Sequence, residues 1–244
     1  KAKAAMSITN DADGLLALDA VTNTTTNGAG VTVIFDGSGD TLVQGNISMT
    51  RQDVLTKNGT GTLTVEGNIN FNGTQIGSAV VNKGTLILNG GIAGLGGFKS
   101  LTVKSGGTLG GIGTTSGTVA MTVQSGGMLA PGDPNQSGGV GKLSVRVGAT
   151  GEAIIQSGGK FEWQLASGTG TTPGTDWDTL AVDGNMTLGD NWVLNLVSAG
   201  GSPVSGKEYD LITFAGKYTG AAECGAALAN ITIDPGTTGW NVSG

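Results

Sequence analysis

Short apolar stretches recur along most of this chain, alternate with polar positions and stop at clusters of Gly, Asn or Ser-Gly-Gly. Alternation with a period of two is the pattern of strands that bury one face, and the clusters are turn chemistry. The pattern therefore predicts many short strands and little helix. Leu101 and Val103 fall on one face with Thr102 and Lys104 on the other, and Ser105-Gly-Gly107 redirects the chain before Leu109 turns inward again.

The same phrase returns. Residues 102 to 112 read TVKSGGTLGGI and residues 122 to 132 read TVQSGGMLAPG. Aligning Val81, Val103, Val123 and Ile155 on their following turns gives intervals of 22, 20 and 32 residues. A unit of about 20 residues cannot bury its own apolar face, so successive units must stack and pair strand on strand. The expected architecture is all-β, a parallel β-helix (solenoid) over residues 31–197, with some eight coils between Val31 and Val197. The long last interval leaves room for a loop around Ala130–Gly139, where Pro131 and Pro134 cannot donate to a ladder. Residues 1–30 are expected to cap one end or reach into a neighbouring molecule. Residues 198–244 read as a small strand-rich C-terminal cap, with strands at Tyr209–Phe214 and Ile231–Ile233 and a helical turn or two at residues 221–228. An antiparallel β-sandwich or jelly roll is the alternative, and the 20-residue interval speaks against it.

Composition narrows the chemistry. Of 244 residues 47 are Gly, without the every-third spacing of collagen, and only 12 % are charged. The 12 Lys and Arg stand against 18 Asp and Glu, and no basic run appears, so nucleic acid is not an expected partner. No apolar run approaches a membrane span. There is no His and a single Cys, Cys224, in an Ala-rich stretch. That removes the usual general base, the commonest metal ligand and any intramolecular disulfide. No Gly-Lys pair is followed by Ser or Thr, so a phosphate-binding loop is not expected either. The expectation is no cofactor and no metal. Low charge with abundant Thr, Asn, Ser and Gly suggests an extracellular or cell-surface protein.

The stretch Leu55-Thr-Lys-Asn-Gly-Thr-Gly-Thr-Leu-Thr-Val65, then Glu66-Gly-Asn-Ile-Asn-Phe71 and Val80-Val-Asn-Lys-Gly-Thr-Leu-Ile-Leu-Asn89, resembles the autotransporter-associated β-strand repeat of bacterial passenger domains and related exported proteins. Units such as Gly107–Gly113, Gly127–Gly132 and Asp178–Leu188 extend the likeness over about residues 50 to 215. The resemblance implies a right-handed β-helix displayed outside the cell, adhesive or structural, and it brings no catalytic residues. The expectation includes either a passenger whose membrane barrel lies elsewhere or an exported repeat protein that carries none.

Some candidates for chemistry remain. Asp176 and Asp178 flank Trp177 and would share one side of a strand, and paired carboxylates are what glycoside hydrolysis needs. Trp177 and Trp163 are the candidate platforms for a sugar ring. The simpler reading makes Asp176 and Asp178 loop residues and Trp177 a packing residue. Asp36 and Asp40 offer two oxygens to a Ca²⁺, but without the full alternating ligand series a turn is the simpler reading. Asn23, Asn46, Asn58, Asn72, Asn135, Asn185, Asn230 and Asn241 each begin an Asn-X-Ser/Thr sequon. Turn and ladder chemistry explains these more simply than glycosylation does.

The functional expectation is an extracellular structural or adhesive β-helix without catalysis, self-assembling into a surface filament, sheath or layer. Copies of itself, joined through end coils and terminal segments, are the expected partners, with surface glycans as further candidates. The alternative is a secreted polysaccharide-acting enzyme or glycan-binding module.

Overall fold

The computed structural model of the protein describes residues 4–24, 30–49, 53–72, 77–94, 98–115, 120–148, 151–220 and 232–233. Its strands form three parallel sheets of nine, nine and eight strands. In each sheet every third strand of the chain is the neighbour of the last, so the chain winds through the first, second and third sheet once per coil. This is a parallel β-helix of eight three-stranded coils and a ninth that supplies two strands among the described residues. All the pairings between these strands are parallel, which excludes the antiparallel sandwich. Nine coils at ~4.8 Å per step make a ladder ~38 Å long.

Register explains the repeated phrase. Val81 lies beside Val103, Val103 beside Val123 and Val123 beside Ile155, so the intervals of 22, 20 and 32 residues each measure one circuit. Parallel pairing places like positions in columns, and the inward columns hold the core. Val33, Leu55, Ala79, Leu101, Met121, Ala153 and Met186 follow one another rung by rung and are almost wholly buried. Phe71, Phe161 and Trp163 fill the same interior.

The Ser-Gly-Gly corners have a specific geometry. Gly84, Gly106, Gly126 and Gly158 all have left-handed φ, from 67° to 82°. They chain together through Gly84 N–H to Gly106 O, Gly106 N–H to Gly126 O and Gly126 N–H to Gly158 O, and Gly158 N–H donates to Asn191 O. Asn191 has the one positive φ among the described non-glycine residues, at 57°, as expected for the side chain that tolerates this region best. Where the corner is Ser-Gly-Gly, its second glycine serves close approach: a Cβ on Gly127 would stand 2.7 Å from the Val103 carbonyl oxygen. Ser105 fills the space against the next corner, since a Cβ on Gly126 would meet its Oγ at 2.5 Å.

Both terminal regions supply rungs of the same ladder, and two expectations are corrected. The segment expected to cap one end or reach into a neighbour forms a coil: Ala4–Thr9 pairs in register with Val31–Asp36, and Leu16–Leu18 and Val21–Thr22 pair with the strands of the second coil. The strands expected in the C-terminal region are found at Ile212–Phe214 and Thr232–Ile233, and with Tyr218–Thr219 they extend the same three sheets. Fewer than eight coils lie between Val31 and Val197, because the circuits from Met121 to Ala153 and from Ala153 to Met186 are long. The helical turn expected at residues 221–228 lies outside the described residues.

Replacing Gly127 by Ala is expected to lower stability by about 1–3 kcal/mol, the range for a new backbone clash. Gly14→Ala, where nothing lies within 4 Å of the added Cβ, is expected to leave it within about 0.5 kcal/mol. Urea unfolding of the two variants beside the parent checks both.

Candidate functional site

The extra residues of the long circuits gather at one corner. Coils six, seven and eight each insert a loop between their second-sheet and third-sheet strands, at residues 132–141, 166–178 and 199–211. The strands on either side are stacked, so the three loops are stacked too. This lobe contains Asp176, Trp177 and Asp178, with Trp163 directly beneath it.

Asp178 joins coils six and seven. Its Oδ1 accepts the Gly141 N–H at 2.8 Å and its Oδ2 the Gln164 N–H at 2.9 Å, while its backbone carbonyl accepts the Trp163 indole N–H at 2.7 Å. The side chain is fully buried. Burial pushes its carboxyl up to about 8; the two backbone donors pull the other way, and the nearby Glu162 adds to the rise. Asp176 closes its own loop: Oδ2 accepts the Thr172 N–H at 2.8 Å, and its carbonyl accepts the N–H groups of Ala166 and Ser167. The two carboxylates therefore have separate structural tasks, and Asp178 presents none of its oxygens to solvent.

Both tryptophans are covered. Trp163 is 1 % exposed and Trp177 4 %. Tyr209 meets both edge to face, at centroid distances of 5.6 and 5.2 Å. The Lys207 ammonium lies 5.1 Å from the Trp177 ring centre and 5.0 Å from that of Tyr209, and it donates to the carbonyls of Gly168, at 2.8 Å, and Gly170. The Tyr209 hydroxyl donates to the Gly168 carbonyl at 2.9 Å. Trp177 donates its indole N–H to Asp210 O at 3.3 Å. A ring already packed on these groups offers no open face to a sugar, so the glycan-stacking expectation for Trp163 and Trp177 is withdrawn and the packing reading holds.

The loop at residues 132–141 folds back along the rod. It forms an antiparallel bridge from Gly132 to Gly111 of coil five. Its buried Asp133 then accepts the Asn89 side-chain N–H at 2.7 Å, two coils back. The other Asp133 oxygen accepts the Asn135 N–H, which holds the loop's own turn.

Asp36 and Asp40 share their surroundings with an internal cation. Lys57 occupies an inward rung between Phe35 and Val81 and is 3 % exposed. Its ammonium donates to the carbonyls of Gly59 and Lys83. Burial lowers its pKa and the charges of Asp36 and Asp40 raise it in part. Asp40 meanwhile accepts the Thr62 N–H at 2.7 Å, and Asp36 the Gly37 N–H at 2.8 Å. No group of three or more acidic, His or Cys side chains that would hold a metal is found among the described residues. The turn reading fits this pair, with Lys57 in the place of a bound cation.

The sequon asparagines divide by burial. Asn23 is buried and donates its side-chain N–H to Asp53 at 2.7 Å, which also accepts the Val31 N–H; that nitrogen is not open to a glycan. Asn58 accepts from Asn82, Asn46 accepts the Asn68 N–H, and Asn185 accepts the Lys217 N–H, each one coil away. These are ladder contacts. Asn72 and Asn135 are exposed. Asn230, Asn241 and Cys224 lie outside the described residues. Sequence reasoning missed Lys57, Asp133, Lys207 and Tyr209. Period-two alternation from Leu55 signals Lys57 as inward, while the other three carry no local signal.

Because the Asp178 carboxyl is held above its unfolded value, its share of stability is full below about pH 4, the usual carboxylate range, and is lost as pH rises through about 8. Urea midpoints measured from pH 4 to 9 are expected to fall more steeply in the parent than in Asp178→Asn. Lys207→Met removes the ammonium from its two carbonyls, and limited proteolysis is expected to cut within residues 166–211 faster than in the parent, with the rest of the coil unchanged. Comparison with protein-family models and with curated proteins returns no match for this chain.

Proposed function

We propose that this protein is an extracellular structural or adhesive rod and that its shape is its function. The observation that carries this reading is where the buried polar and ionisable side chains go: Asp178, Asp133, Asp53 and Lys57 each hydrogen-bond a group of another coil, at Gly141, Asn89, Val31 and Lys83. A chain that directs its buried polar and ionisable groups to inter-coil joints gains a stiff, ordered ladder. The low share of charged residues, 12 %, and the resemblance to passenger-domain repeats support display outside the cell.

Self-assembly is the specific form of the proposal. The strands of the first coil pair on one side only among the described residues. Met6, Ile8 and Leu18, which face the interior there, are only partly buried, whereas Val33, Phe35 and Val43 one coil on are buried. A parallel edge accepts another parallel edge, and head-to-tail stacking repeats without closing, which makes filaments. At rising concentration, negative-stain electron microscopy is expected to show rods lengthening in multiples of the single molecule. Dispersed single rods at millimolar concentration would overturn the assembly reading.

A further inference from the structure

The outward face of the first sheet has a regularity that stacking alone does not require. Its middle column runs Ser7, Ile34, Thr56, Val80, Thr102, Thr122, Ile154, Thr187, Thr219, one residue per coil over nine coils. Apart from the terminal Ser7 every member is β-branched, and none is charged. The column beside it is uncharged over the first six coils, through Ala5, Thr32, Val54, Ser78, Ser100 and Ala120. Glu152 ends that stretch and accepts a hydrogen bond from the Thr187 hydroxyl. Most of these side chains are partly open to solvent.

Strand propensity favours β-branched residues on every sheet, so the second sheet is the control. Its outward column reads Ala17, Leu42, Thr64, Ile87, Gly110, Ala130, Glu162, Asn195. Side-chain size there swings from Gly to Ile, and Ile87 leans over Gly110, where a Cβ would meet its Cδ1 at 2.9 Å. The other outward column of the second sheet is even over three coils only, at Thr62, Thr85 and Thr108, before Met128 and Lys160 follow; the uncharged array that runs through six coils belongs to the first sheet.

We infer that the outward face of the first sheet, over coils one to six, binds crystalline water. β-Branched side chains have restricted χ1, so the array loses little freedom when an ordered surface meets it. Its rungs repeat every ~4.8 Å. Water oxygens hydrogen-bonded at ~2.75 Å in tetrahedral array have second neighbours ~4.5 Å apart, so the rung spacing exceeds the lattice repeat by ~0.3 Å per step and three consecutive rungs stay within ~0.6 Å of register, the offset growing to ~1.5 Å over six. Thr and Ser supply hydroxyls and methyls or methylenes at that spacing, and neither of the two columns carries a charge over these coils, the flanking charges Asp36 and Lys104 standing at the strand ends.

Other occupants fit less well. A second copy would bury on the order of 300 Å², from six rungs and two columns ~6.6 Å apart, against the ~800 Å² per partner of a stable dimer. A crystalline polysaccharide calls for exposed aromatic platforms, and neither column holds an aromatic residue over coils one to six; the exposed Phe214, stacked on Tyr218, lies in coils eight and nine.

Slow freezing of a dilute solution onto a cold finger tests this, with the fraction of protein carried into the ice and the thermal hysteresis as readouts. The parent is expected to enter the ice and to show measurable hysteresis. Val80→Lys with Thr102→Lys is expected to reduce both at least tenfold. Thr85→Lys with Thr108→Lys, on the outward face of the second sheet, is expected to keep both within twofold. Circular dichroism melting verifies the folds, and single Thr122→Glu replaces the double variant if that one unfolds. Exclusion of the parent from ice, equal loss in the second-sheet variant, or full retention by a folded first-sheet variant overturns the inference. So does pelleting with microcrystalline cellulose in place of ice uptake, or a dimer in sedimentation that the first-sheet variant abolishes. None of these outcomes bears on end-to-end assembly, which rests on the end coils.

Discussion

Every feature of this molecule depends on the hydrogen bonds that run along the rod from one coil to the next. A strand here pairs with no strand of its own coil; its ladder bonds are made to the equivalent strands above and below. That requirement fixes register, and register turns each position of the repeat into a column. A column is uniform by necessity inside, where Val33 through Met186 fill a shared core, and free to vary outside. The sequence repeats because the neighbours of every residue are copies of its own position.

Corners carry the second constraint. The chain must turn three times per circuit without leaving buried amides unmet. At the first corner the left-handed glycines donate to one another from coil to coil, with Asn191 taking over where the glycines end. At the second corner the later coils insert loops, and buried carboxylates meet the amides that the loops displace. Asp178 does this for Gly141 and Gln164, and at the third corner Asp53 does it for Val31. An aspartate that resembles half of a catalytic pair in sequence is, in three dimensions, an acceptor standing in for a missing strand.

The parts of the fold that were legible in the sequence are those governed by local period. Alternation gave the strands, the spacing of Val81, Val103, Val123 and Ile155 gave the circuit, and Pro131 with Pro134 marked the loop. The first coil escaped because the 27-residue circuit from Ala4 to Val31 contains few alternating positions, so the match lies in pairing and not in pattern. The fate of Trp177 was illegible for a different reason. The groups that cover it, Tyr209 and Lys207, sit one circuit away in a loop with no repeat of its own. A lone Trp between two Asp reads the same whether the next coil buries it or leaves it bare.

A solenoid is ordinarily a one-dimensional system in which each unit feels only its two neighbours, so that a weak unit can open while those flanking it stay closed. The bond from Asp133 to Asn89 breaks that rule, because it ties coil six to coil four across coil five, which has the shortest circuit of the molecule. Coil five is clamped from both sides by a contact to which it contributes nothing. Its opening must break the clamp as well, so coils four to six respond to force or heat as one block, and the shortest unit of the ladder is not its first point of failure.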